Sequence, residues 1–161
     1  MNASTEELLS AETEQELEEQ QTTTKDMISV FGYELIREIL VPDLLGKEAP
    51  DILYWAGKNL ARKFPLLSHD ELYAFFVEAG WGYLHITKEG KLETEYELTS
   101  SIIKNRLKSN PDSCFRMETG FLAQQIQSQK KVITEAYEEI HKKQQSVKII
   151  VKWDKKDPVH D

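Results

Sequence analysis

The strongest nucleophile type in this chain occurs once, as Cys114. Thiolate chemistry at that position needs a cation or a helix N-terminus beside it. Arg116, two residues on, has the parity to point the same way. The simpler reading of Cys114 is a small buried hydrophobe; the functional one is an attachment point for an acyl chain or an oxidant sensor. Ser101-Ile102-Ile103-Lys104 matches the Ser-x-x-Lys pattern of some acyl enzymes, but the companion motifs are missing and the stretch reads as one turn of an amphipathic helix. Glu93, Glu95 and Glu97 alternate on one strand. Acid–base work requires a shared desolvated cleft, whereas the outer face of a hairpin keeps carboxylates in water. His69, His85, His141 and His160 have no ligand-like spacing, and a lone cysteine leaves too few thiols for a structural zinc site. No phosphate-cradling glycine loop occurs. No catalytic residue, metal ligand or cofactor is assigned, and the reading is of a non-enzymatic domain.

A different constellation fits binding. Gly57 and Gly120 each stand near aromatic residues, Trp55 and Phe121, in a chain whose aromatic groups otherwise read as core. A glycine inside a helix lets another backbone or a ligand approach closely. Trp55, Gly57, Phe76, Cys114, Phe115, Gly120 and Phe121 are therefore candidates for lining a small apolar pocket, between the second helix and the start of a long later one.

These residues need elements to hold them. A first helix is expected from Asp26 to just before Pro42, apolar over far more than one stripe. Such a helix is either central to the core or packs a second face on another chain, with Phe31, Leu35 and Ile39 as seam candidates. Asp51 is expected to cap a helix over 52–64 that stops at Pro65, and Ser68 with Glu71 forms a capping box for the next, ended by Gly80. Leu84 and Ile86, then Leu92, Tyr96 and Leu98, flank Glu89-Gly90 as a hairpin. Thr99 or Ser100 caps a short helix broken at Asn110-Pro111-Asp112. A strand is expected over Ser113 to Glu118, a long helix over about 120–143, and a last strand from Val147 to Trp153 alternating with lysines. Half-buried strands with helices on one side give an α+β fold, an antiparallel sheet of about four strands with helices packed against it.

Charge divides the chain. Residues 1–25 hold seven glutamates against Lys25, a net −6 of the total −8, so the other 136 residues carry only −2. Three organisational parts follow: an acidic flexible tail over 1–25, a single α+β domain over 26–154 and a short tail over 155–161. A nearly neutral body does not fit a nucleic-acid surface, which needs clustered cations. No apolar run reaches the roughly 20 residues that span a bilayer, and the N-terminus lacks the basic-then-apolar order of a secretory signal. The expected location is the cytoplasm.

Two motifs carry a resemblance. Leu53-Tyr54-Trp55-Ala56-Gly57-Lys58-Asn59-Leu60-Ala61 and Cys114-Phe115-Arg116-Met117-Glu118-Thr119-Gly120-Phe121-Leu122-Ala123-Gln124-Gln125-Ile126 together resemble the YslB-like family of low-GC Gram-positive bacteria, over about residues 26–154. More remotely, the element order is similar to the superfamily of four-vinyl-reductase sensor domains and Bet3-type tethering-complex subunits. That resemblance implies a Bet3-like fold, a homodimer formed through helices and, in some members, an apolar pocket for a lipid or small hydrophobic ligand. It implies an interaction or ligand-binding role for this chain; the alternative is a small enzyme acting on a hydrophobic substrate through Cys114 or Ser101.

Overall fold

A computed structural model describes residues 5–14 and 27–160, and the elements follow the side chains able to satisfy free backbone groups. Residues 5–14 form an exposed helix, α1; the rest of the acidic segment lies outside the described residues. Ser29, Ser68 and Ser100 cap α2 (Val30–Glu34), α5 (His69–Glu78) and α6 (Ser101–Ser109), each accepting from the N–H three residues on. Glu71 departs from a full capping box, because its carboxylate accepts from Leu67 N rather than Ser68 N. Gly80 follows α5 at φ +73, as expected of its stop.

The expected break at Pro42 does not occur. A π-helical stretch, Leu35–Leu40, leads into α3 (Val41–Leu45), and Pro42 sits in its first turn, where a missing N–H costs nothing. Gly46, at φ +67, ends that helix instead. Asp51 does not cap α4 either. That helix runs Ala49–Lys63 with a proline in its first turn, and Asp51 lies inside that turn, where its charge suits the helix dipole.

Two further expectations are corrected. Ser113–Glu118 is not a strand: α7 begins at Arg116 and runs to Lys130. The apparent alternation arises because Ser113 and Phe115 are buried on the way into the helix. The long helix to 143 stops thirteen residues early, where Lys131 takes the left-handed conformation at φ 60. The β-branched run Val132-Ile133-Thr134 then opens β3 (Val132–His141). Ile133, Ala136, Tyr137 and Ile140 fit a helical stripe in sequence, yet Thr134 and Ala136 are buried while Ile133, Glu135 and Tyr137 are exposed, the period of a strand.

With β1 (Tyr83–Glu89), β2 (Glu93–Thr99) and β4 (Ser146–Pro158) this gives an antiparallel sheet in the order β1-β2-β4-β3. The α+β expectation holds, with β3 supplying the strand misplaced at 113–118. β4 continues through residues read as a tail, and Val132 pairs with Pro158. Tyr96, Leu98, Val147, Ile149 and Val151 face the helices and are buried. On the outer face Lys152 lies 3.8 Å from Glu93 and Lys148 lies 3.1 Å from Glu95, while Glu97 faces His85, so these carboxylates are partnered in a solvated ladder of polar groups.

α7 packs on β3 and β4 with one side and on α4 with the other, and its residues Glu118 to Ile126 are all buried. Burial around the whole circumference makes it the central helix. The chain divides into one unit ending at Ile36 and another starting at Arg37; the sheet and α3 to α7 all belong to the second.

Candidate functional site

α4 and α7 meet backbone to backbone. A Cβ placed on Gly57 would lie 2.1 Å from Met117 O, and one on Gly120 would lie 2.0 Å from Tyr54 O. The two glycines thus serve one interface, and the space at each is taken by main chain of the facing helix. Phe76 and Phe121, both buried, also meet in an aromatic cluster with buried Trp81 and half-buried Phe75, where Phe75 stacks on Phe121 at 4.6 Å. Phe115 is buried near the start of α7, and Trp55 stands 59% exposed on α4 with the Lys58 ammonium over its ring. The seven pocket candidates therefore fall into a helix interlock, a packed aromatic core, an exposed tryptophan and the Cys114–Phe115 corner.

Glutamines of α7, passed over in the sequence, tie down the segment after α4. Gln125 donates to Phe64 O at 2.7 Å and accepts from Leu66 N at 3.1 Å, and Gln129 donates to Leu66 O. Gln127 accepts from Thr134 N. Gln125 in the second motif and Gln129 just beyond it thus satisfy backbone groups that a Pro65 break leaves unpaired.

Chemistry gathers at the other end of α7. Adjacent residues of the π-helical stretch carry opposite charges, and each finds an opposite partner. Arg37 pairs with buried Glu118, and Arg106 Nε donates to Glu38 Oε1 at 2.5 Å. Arg106 also donates to Cys114 O at 2.9 Å and lies over the Phe115 ring, while Ser113 Oγ donates to Glu38 Oε2 at 3.0 Å. Glu118 Oε2 is buried with no hydrogen-bond partner among the described residues. No pairing of this kind is legible from spacing, since the partners lie 68 and 81 positions apart.

Beside this cluster opens a cleft of about 320 Å³, walled by Ala49, Pro50 and Leu53 of α4, by Arg37, Glu38 and Pro42, and by Cys114. Cys114 is half-buried there. Burial pushes its thiol up, the Arg116 backbone N–H opposes that shift, and Glu118 and Glu138 add to it. Arg116 itself is turned to Glu138 at 3.1 Å and to the Tyr54 ring, so it does not activate the sulfur. Ser101 is exposed at the first position of α6. Among the described residues no three acidic, His or Cys side chains gather as a metal site, and no helix is long and apolar enough to cross a membrane.

Fold and site together define an α+β domain built on a central buried helix, with an ion-paired cleft at that helix's start. The chain belongs to the DUF2507 family, described as a protein of unknown function, whose model matches residues 30–152. It is 52% identical over 132 residues to the uncharacterized protein YslB of Bacillus subtilis, covering 82% of this chain and 89% of that one. A shorter stretch of 85 residues is 34% identical to ribosomal RNA small subunit methyltransferase A of Lactobacillus johnsonii, covering 52% of this chain and 27% of the relative. In fold the chain is similar to the crystal structure of a vinyl-4-reductase family protein from Methanocaldococcus jannaschii. The TM-score is 0.59 at 17% identity, over 80% of this chain and 83% of that chain.

Proposed function

We propose that the protein is a non-enzymatic interaction domain that works as a homodimer through the apolar residues between 27 and 44. One observation carries this reading. Met27, Ile28, Val30, Phe31, Leu35 and Ile36 in the first unit, and Ile39, Leu40 and Leu44 in the second, are 41% to 79% exposed. Single exposed apolar residues are ordinary, but so many in each unit mark apolar surface awaiting cover. Phe31, Leu35 and Ile39, the seam candidates, are all among them. Light scattering after size exclusion is expected to give a dimer for the wild type and a monomer for Phe31→Asp with Ile39→Asp. A wild type that stays monomeric at high concentration removes the seam.

The cleft supports a second role in the same protein, binding of a small hydrophobic ligand between the apolar wall of α4 and Cys114. Its counterpart is the enzyme reading, with Cys114 or Ser101 as nucleophile. The raised thiol and the exposed serine favour binding over catalysis. Alkylation of Cys114 measured against pH covers both. Its rate is expected to rise only above the usual thiol range, and decanoate is expected to slow it. A profile displaced below that range favours a nucleophile, and indifference to decanoate counts against an acyl ligand.

A further inference from the structure

We propose that Arg37–Leu45 is a strap that closes the cleft over Cys114, latched by its two ion pairs and pivoting at Gly46. The strap is held in an unusual way for a helix. Arg37, a charged residue, is the one residue of 37–45 that is buried. Ile39, Leu40 and Leu44 are exposed, and Val41, Pro42 and Leu45 are only half-buried. Its firm attachments are polar: Arg37 to Glu118 and to Cys114 O, Glu38 to Arg106 and to Ser113.

Polar attachment changes the cost of opening. A helix docked by apolar burial exposes hydrocarbon when it lifts, whereas opening a buried ion pair returns both charges to water and recovers their desolvation. The closed state is therefore favoured by a small difference between large terms, which is the condition for opening locally without global unfolding. The backbone is built for it. The latch residues lie on a π-helical stretch, a backbone form found at functional sites. At the other end, Gly46 takes φ +67, and a Cβ built there would meet open space, so no side of the pivot residue is wedged.

Position gives the motion its consequence. Arg37, Glu38 and Pro42 of the strap form one wall of the cleft, and Cys114 lies on another. The Cys114 carbonyl is itself held by both guanidinium groups. Opening withdraws the strap's wall and the Arg37 bond together, so the thiol becomes accessible as the latch parts. Ile39, Leu40 and Leu44 of the strap are also seam residues, so the strap is a property of the single chain and its labelling is to be read at a concentration where light scattering shows a monomer.

Cys114 is the sole cysteine, so a chromogenic aromatic disulfide reports on it alone. The wild-type labelling rate is to be followed against urea below the unfolding transition, at a protein concentration fixed throughout. The expected result is a rate that rises with urea at well under half the slope of global unfolding. A slope equal to that of global unfolding overturns the strap, as does no slope, which direct access to the half-buried thiol would give. Glu38→Gln, which weakens one pair without touching the cleft's apolar wall, is expected to speed labelling about tenfold with unchanged far-ultraviolet circular dichroism. Acceleration below threefold in a folded variant overturns the latch. Should that variant not fold, the wild-type slope decides alone.

Discussion

Gly120→Ala is expected to destabilise the protein by more than about 3 kcal/mol, beyond what ordinary overpacking produces. The added methyl group would fall 2.0 Å from Tyr54 O and 2.8 Å from Tyr54 C, and neither is the end of a flexible side chain that could swing aside. α4 must move away from α7. Gly57→Ala makes the same demand from the other side, at 2.1 Å from Met117 O and 2.8 Å from Phe121 N. Intrinsic preference works in the opposite direction, since alanine favours a helix interior over glycine by about 1 kcal/mol. The sign of the measured change therefore separates packing from propensity. The two substitutions press on one interface, so together they are expected to cost less than their sum, because a single separation relieves both. Gly90→Ala is the internal control: its methyl group meets Glu93 O at 3.2 Å at the hairpin turn and asks for a shift of only tenths of an ångström. Urea unfolding of the four variants checks this. Stabilisation by Gly120→Ala would mean that the helices part freely and that the interlock carries no specificity.

That interlock was half legible. Gly57 in a helix and Gly120 within the second motif announce close approach, because a helix gives up stability to carry a glycine and does so for a reason of packing. What fills the space is not written in either segment: it is the backbone of the facing helix, at Met117 and Phe121 for Gly57 and at Tyr54 for Gly120. Ser68 caps as expected, and of the two candidates Thr99 and Ser100 it is Ser100 that caps, since capping is a local matter of one side chain and the N–H three residues on. The boundary at Lys131 was not legible. A lysine in the left-handed conformation leaves no mark of the kind glycine leaves, and Ile133, Ala136, Tyr137 and Ile140 satisfy a helical period as well as a strand. The sheet's pairing decides it, with Ala136 opposite Val151 and Ile140 opposite Val147. The ion cluster was hidden altogether. Arg37 and Glu38 are two polar positions in a helix otherwise apolar over most of its circumference, and only the fold turns them inward to Glu118 and Arg106.

Within that cluster, Arg37→Met is expected to cost about 3–5 kcal/mol and Glu118→Leu distinctly less, with the double variant restoring most of the loss. The asymmetry follows from what each change strands. Removing Arg37 leaves the Glu118 carboxylate buried with its Oε1 partner gone and its Oε2 already unpartnered among the described residues. An uncompensated buried charge bears the full desolvation penalty. Removing Glu118 instead leaves a guanidinium that still donates to Cys114 O and borders the cleft, from which water can reach it. Replacing both partners with apolar groups of similar size removes two desolvation costs with one attraction, which is why such exchanges come out near neutral. Urea midpoints of the two single variants and the double, read as a thermodynamic cycle, give the coupling directly. Equal losses from both single variants would mean that Glu118 and Arg37 are equally well hydrated without each other, and the carboxylate would then not be the buried charge its surroundings make it. If the strap is the route by which water reaches Glu118, Arg37→Met also accelerates Cys114 labelling, and the apolar double variant slows it again.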